Sequence, residues 1–235
     1  MNALVYSGPR TLELRQVAEP TEGAVVRVQA VGICGSELHG WQGHDPRRQP
    51  GLVMGHEAAG TVVSGPRAGE RVAFNPLVSC LCCEACLRGR TNLCPSRELI
   101  GMNRPGAFAE LVSVPEGNLL ALPEGLPLHR AALMEPAATA IHALDLGERM
   151  LDVPWGRARA LVFGGGSVGL LGALFLKEAL AEVQLAEINP LRRASASQAG
   201  LDAREAPDGA FDLVYDAVGV AATRSQAMSL LRPGG

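Results

Sequence analysis

Arg159-Ala160-Leu161-Val162-Phe163-Gly164-Gly165-Gly166-Ser167-Val168-Gly169 decides the fold of the later part of this 235-residue chain. An apolar run with strand character leads straight into glycines. From Ser167 to Leu180 the sequence then turns rich in alanine and leucine, as a helix packed on a sheet does. Strand, G-x-G-x-x-G turn and helix, in that order, are the context the dinucleotide fingerprint needs. Gly164 permits the tight turn, Gly166 lets the backbone approach a pyrophosphate, and Gly169 lets helix and strand pack closely. The first helical residues, Ser167 and Val168, open a helix N-terminus whose free N–H groups and positive dipole end suit phosphate. A second apolar run, Val183-Gln184-Leu185-Ala186, ends at Glu187. That is about 20 residues beyond the glycines, where an acidic side chain binds the adenosine ribose hydroxyls. A carboxylate there repels a 2′-phosphate, so the expected cofactor is NAD. Arg193 is a nearby positive charge that keeps NADP as the alternative.

Four cysteines, Cys80, Cys83, Cys86 and Cys94, form a C-x2-C-x2-C-x7-C array in one short loop. The spacing brings four thiolates around one tetrahedral centre, as a closed structural zinc site requires. Paired disulfides would suit an exported chain, and no sign of export is present. Cys82 breaks the two-residue steps and reads as a spare thiol. The sixth cysteine, Cys34, precedes Gly55-His56-Glu57 in the chain. Cys34, His56 and Glu57 are a mixed set of possible ligands, the arrangement of a catalytic zinc with an open fourth position. Taken singly, Cys34 also reads as a small buried hydrophobe, and Gly-His-Glu as a loop with a capping carboxylate.

In Gly32-Ile33-Cys34-Gly35-Ser36 through His39, Gly55-His56-Glu57, the cysteine loop and the glycine turn, the sequence resembles the zinc-containing medium-chain dehydrogenase/reductase family, the alcohol and polyol dehydrogenases. The resemblance runs from Met1 to Gly235. It implies a GroES-like catalytic domain with Cys34 and His56 as zinc ligands, and Glu57 as the third or as a carboxylate that exchanges with water. Glu135, in Met134-Glu135-Pro136, matches the position where the alcohol-dehydrogenase branch has a ligand cysteine. A glutamate there looks like the sorbitol-dehydrogenase and polyol branch. Ser36 and His39 match the proton relay, which runs through the cofactor ribose, and Arg192 matches a basic position lining that ribose. One departure is Glu37, where the family usually has aspartate.

The resemblance further implies two zinc atoms per chain, NAD, a small-molecule secondary alcohol as substrate (a polyol or sugar-derived alcohol), and a dimer or tetramer in the full-length form. Rival readings are a threonine or simple alcohol dehydrogenase, or a non-catalytic zinc- and nucleotide-binding remnant. The six cysteines argue against a zinc-free quinone reductase of the same superfamily.

A net charge of −3 gives no electrostatic footprint for nucleic acid or an anionic membrane. No signal peptide is recognisable and no apolar run reaches the roughly 20 residues of a membrane span, so a cytoplasmic enzyme is expected. The expected fold class is α/β. A β-rich catalytic domain over residues 1–151 precedes a doubly wound parallel-sheet (Rossmann) domain over residues 152–235. A helical stretch from Ala131 to Leu146 leads to a linker around Asp152–Arg157. Phe211–Asp216 reads as a further strand and Ala222–Leu231 as a helix. Only about four of the six strands of a doubly wound sheet are countable, so the Rossmann domain is expected to be incomplete and the chain a fragment or truncated product. His44, Asp45, Arg47 and Arg48 read as an exposed polar loop, with contact to a polar or phosphorylated substrate as the alternative.

Overall fold

Short apolar runs between glycine and proline turns fold as antiparallel sheet in the first unit of a computed structural model, which describes residues 1–179 and 182–235. The hairpin β1 (Asn2–Gly8) and β2 (Thr11–Gln16) stands beside the main sheet strands β3 (Ala24–Val31), β4 (Ala58–Val62) and β5 (Arg71–Phe74). Helix α1 (Gly35–Trp41) follows β3 directly. A small lobe holds β6 (Leu77–Val78), α2 (Glu84–Leu87) and β7 (Glu98–Leu99). Strands β8 (Leu111–Val114) and β9 (Leu119–Ala121) complete a five-stranded sheet of order β8-β3-β4-β5-β9, and α3 (Leu128–Ala131) follows. Val26, Val62, Val72, Phe74, Ile100 and Val112 form its core. Fully burying one such side chain contributes about 1.5–3 kcal/mol.

Helix α4 (Met134–Glu148) spans the division between two compact units, Met1–Glu135 and Pro136–Gly235. Leu144 of α4 packs into the core of the second unit, with Leu176 and Leu185. This division lies earlier in the chain than residues 151 and 152, between which the domain boundary is expected.

In the second unit β10 (Arg159–Phe163), α5 (Ser167–Ala179), β11 (Glu182–Ala186), α6 (Pro190–Gln198), β12 (Asp202–Arg204), β13 (Leu213–Asp216) and α7 (Ala221–Leu230) alternate. All strand pairs are parallel, in the order β12-β11-β10-β13. That is the 3-2-1-4 portion of the doubly wound order. Ala160, Leu161, Val162 and Phe163 of β10 are all buried, as a strand covered on both faces must be. Asn189 caps α6 by accepting from the N–H groups of Leu191 and Arg192, with Pro190 at the first helical position.

The strand expected over Phe211–Asp216 begins at Leu213, while Phe211 forms an isolated bridge to Leu231. The α5 helix is described to Ala179, and the expected last residue, Leu180, lies outside the described residues. The helical stretch expected from Ala131 to Leu146 is α4, with α3 just before it and Ala132 and Leu133 between them. Among the described residues, no helix is long and apolar enough to cross a membrane.

The glycine turn is shaped by contact distance. Gly164 has φ +94°, and a Cβ on Gly169 would collide with the Gly164 carbonyl and meet Ala217 Cβ at 3.1 Å. A Cβ on Gly166 would meet nothing within 4 Å among the described residues. Gly169→Ala is therefore expected to destabilise the second unit by about 1–3 kcal/mol through overpacking. Gly166→Ala should stay within about 0.5 kcal/mol. Urea unfolding of the two variants beside the parent tests the contrast, and equal midpoints would refute it.

Candidate metal and cofactor sites

Residues Cys34 and Ser36 stand at the start of α1, and His56 and Glu57 stand just before β4. The loops meet so that the Cys34 thiol, the His56 imidazole and a Glu57 carboxylate oxygen lie within 4.8 Å of one another. His56 and Glu57 are buried. The turn before His56 is held by close backbone packing. Gly55 has φ +99°, and a Cβ on Gly101 would come within 2.9 Å of the Gly55 carbonyl carbon.

Glu37 is 2% exposed and joins the two loops. Its Oε2 accepts the Cys34 backbone N–H at 2.7 Å, a third-residue carboxylate reaching back across the helix start. Its Oε1 lies 2.7 Å from His56 Nδ1. Among the described residues neither atom has a hydrogen-bond partner. We read the contact as an ion pair on its distance and burial. A carboxylate behind one ring nitrogen orients an imidazole for metal at the other.

Burial works against the His56 cation, but Cys34 and Glu37 beside it outweigh burial and raise the imidazole to about 10. Burial also pushes up Glu57, and it pushes up Glu135, where the charges of Glu57 and Glu37 add to the effect. Glu135 is thus an electrostatic neighbour of the site but stands outside the close trio. Carboxylate oxygens, a thiol and an imidazole nitrogen thus meet in one place as donors of mixed type. The donor set fits a divalent cation such as zinc. Ser36 is half-buried and His39 exposed on α1.

In the small lobe, Cys80, Cys83, Cys86 and Cys94 converge. Cys80 Sγ lies 3.5 Å from Cys94 Sγ and 3.9 Å from Cys86 Sγ. A tetrahedron with metal–sulfur bonds of about 2.3 Å has edges of about 3.8 Å, so the thiols fit zinc. Backbone N–H groups of Cys82 and Cys83 draw the Cys80 thiol down to about 6, and burial pushes Cys86 up to about 12. Cys82 is exposed and outside the cluster. Between them Leu81 takes a left-handed φ of 59°, a strained conformation for a leucine.

In the second unit, a cavity of about 640 Å³ is bordered by Gly164, Gly166, Glu187, Arg192, Val218 and Thr223. It opens at the carboxyl ends of β10 and β13, where the strand order reverses, the usual ligand crevice of such sheets. Glu187 is 6% exposed, and its carboxylate accepts the N–H groups of Gly165 and Asn189, each at 2.7 Å. Arg192 Nη1 is 4.0 Å from that carboxylate. Arg193 donates to the Glu187 and Ile188 carbonyls and pairs with Glu205 at 3.3 Å.

Residues 20–124 match the family described as Alcohol dehydrogenase GroES-like domain. D-altritol 5-dehydrogenase of Agrobacterium fabrum is 35% identical, aligned over 98% of this chain and 73% of that protein. The chain belongs to the zinc-containing medium-chain dehydrogenase/reductase family. Its first unit is the family's GroES-like domain, and its second carries a partial Rossmann sheet. L-galactonate-5-dehydrogenase of Escherichia coli K12 is 36% identical over 82% of this chain, and the alignment covers 58% of that protein's length. An alcohol dehydrogenase of Escherichia coli CFT073, solved with NADH, superposes with a TM-score of 0.90 at 28% identity. The superposition covers 100% of this chain and 74% of that one.

Arg48 departs from the exposed polar loop expected of it, because its side chain is buried. No spacing in the sequence marks it. The available signal is Gly40 in α1, which leaves room for the arginine stem.

A metal at Cys34, His56 and Glu57 must displace the His56 proton. Affinity for a divalent metal should therefore rise with pH towards about 10, by up to tenfold per unit for each proton released. Competition against a chromogenic chelator at several pH values tests this, and a flat profile would contradict it. Cys82→Ala should leave metal content unchanged, whereas Cys94→Ala should empty the loop.

Proposed function

We propose that this chain supplies the metal and cofactor sites of a dehydrogenase that moves a hydride between a secondary alcohol and NAD. The favoured substrate is a polyol or sugar-derived alcohol. The observation that carries the reading is the close trio of half-buried Cys34 and buried His56 and Glu57, with Glu37 behind the imidazole. The two relatives named for 5-dehydrogenation of a polyol and a sugar acid support the substrate class. Because the chain spans only 58% of the first of them, activity belongs to the proposal.

Cys34, His56 and Glu57 would hold the catalytic zinc, with Glu135 beside them. Cys80, Cys83, Cys86 and Cys94 would hold a second, structural zinc. When bound, the catalytic metal supplies Lewis-acid stabilisation of the developing alkoxide. Ser36 Oγ takes the hydroxyl proton, and His39, exposed on the same helix, returns it to solvent. Gly164, Gly166, Gly169 and the N–H groups of Ser167 and Val168 form the cradle for the cofactor pyrophosphate. Glu187 and Arg192 line the ribose end. The engagement of Arg193 with Glu205 and two carbonyls supports NAD over NADP, since that cation is already partnered.

Cofactor reduction against polyols, amino alcohols and simple alcohols tests the substrate class, and turnover confined to amino alcohols would replace it with the threonine class. Cys34→Ala or His56→Ala should abolish turnover. Ser36→Ala should slow it on the order of 10²–10⁴-fold. Glu187→Gln should narrow the preference for NAD by about tenfold, equivalent to about 1.4 kcal/mol. Tighter binding of NADP than NAD by the parent would refute the cofactor assignment.

A further inference from the structure

Arg48 lies in a loop whose neighbours Arg47 and Gln49 are exposed, yet its own side chain is 0% exposed. Its stem crosses α1 at Gly40, where a Cβ would strike Arg48 Cγ at 2.7 Å. Nη1 donates to the Gly101 carbonyl, and Gly101 is packed against Gly55, next to His56. Nη2 donates to Ser36 Oγ at 3.3 Å. Nε is buried without a hydrogen-bond partner among the described residues, 3.8 Å from Asp45.

A buried guanidinium is a costly way to hold a loop, since apolar side chains of similar volume stabilise as well or better. What an apolar side chain lacks is a donor aimed at Ser36. A serine hydroxyl has one donor and two lone pairs, and arginine has no acceptor. The Arg48 N–H therefore occupies one lone pair and turns the Ser36 O–H elsewhere. One lone pair is left for an incoming proton. The adjacent positive charge also opposes two protons resting on Oγ together. As the substrate O–H breaks and a new Oγ–H bond forms, the serine's own proton must leave towards solvent.

We propose that Arg48 is the positioning residue of the proton-transfer serine, fixing Ser36 Oγ while anchoring α1 to the Gly101 carbonyl. This rests on the reading of Ser36 as the group that takes the substrate proton. The test compares Arg48→Met, Arg48→Lys, Ser36→Ala and the Ser36→Ala/Arg48→Met double variant in the zinc-loaded chain. Metal content is checked first, and thermal midpoint, kcat and KM are then read.

The melting shifts are expected to be non-additive, the double variant losing less than the sum of the singles. In Arg48→Met, kcat should fall on the order of 10²-fold with the alcohol KM unchanged, as for a misplaced group. The Ser36→Ala background should show no further loss, and Arg48→Lys should recover part of the rate. Additive melting shifts overturn the proposal whatever the activity. So does an equal rate loss in both backgrounds, or a loss carried by metal content alone. A parent that turns over no alcohol would defeat the proposed function, and the melting cycle would still decide whether Arg48 holds Ser36.

Discussion

One buried carboxylate sets the geometry of the first unit's site. Glu37 accepts the Cys34 N–H through one oxygen and faces His56 through the other, so the Cys34 and His56 side chains share a reference point. Each comes from a loop that the antiparallel sheet alone does not align. Cys34 follows β3, and His56 precedes β4, which pairs with it. Strand pairing brings the loops to the same end, and Glu37 sets their spacing. A displacement of Glu37 would move thiol and imidazole together.

The two thiol-bearing sites solve crowding differently. In the small lobe the ligands are four of a kind, and backbone N–H groups together with burial spread their proton affinities apart. Around His56 the groups are mixed, and burial raises the carboxyls of Glu57 and Glu135 beside it. On the proposed reading, the four like thiols would close a tetrahedron as a structural zinc site does, and the mixed trio would leave a fourth position open as a catalytic one does.

Spacing made much of this legible. The cysteine array, the G-x-G-x-x-G turn and the alternation of strands with helices each depend on short-range order, which a sequence displays directly. The strand limits at β13 and the break between α3 and α4 were less visible, because tertiary pairing sets where such elements stop. Arg48 was the clear miss. Its neighbours are charged and exposed, so composition spoke for solvent, while its burial depends on Gly40 and Gly101, far apart in the chain. Glu37 was visible only as an unusual residue, since its two partners lie in different loops.

The Glu187 carboxylate offers about four lone pairs and gives two of them to the N–H groups of Gly165 and Asn189. Asn189 in turn caps α6. The side chain proposed for the ribose is therefore also a fastener of the glycine turn and of the next helix. On the proposed reading, selectivity and scaffold draw on one group. A residue at position 187 that accepts neither N–H would loosen the turn as well as alter the ribose end, so a change of cofactor there would call for a second change to restore the turn.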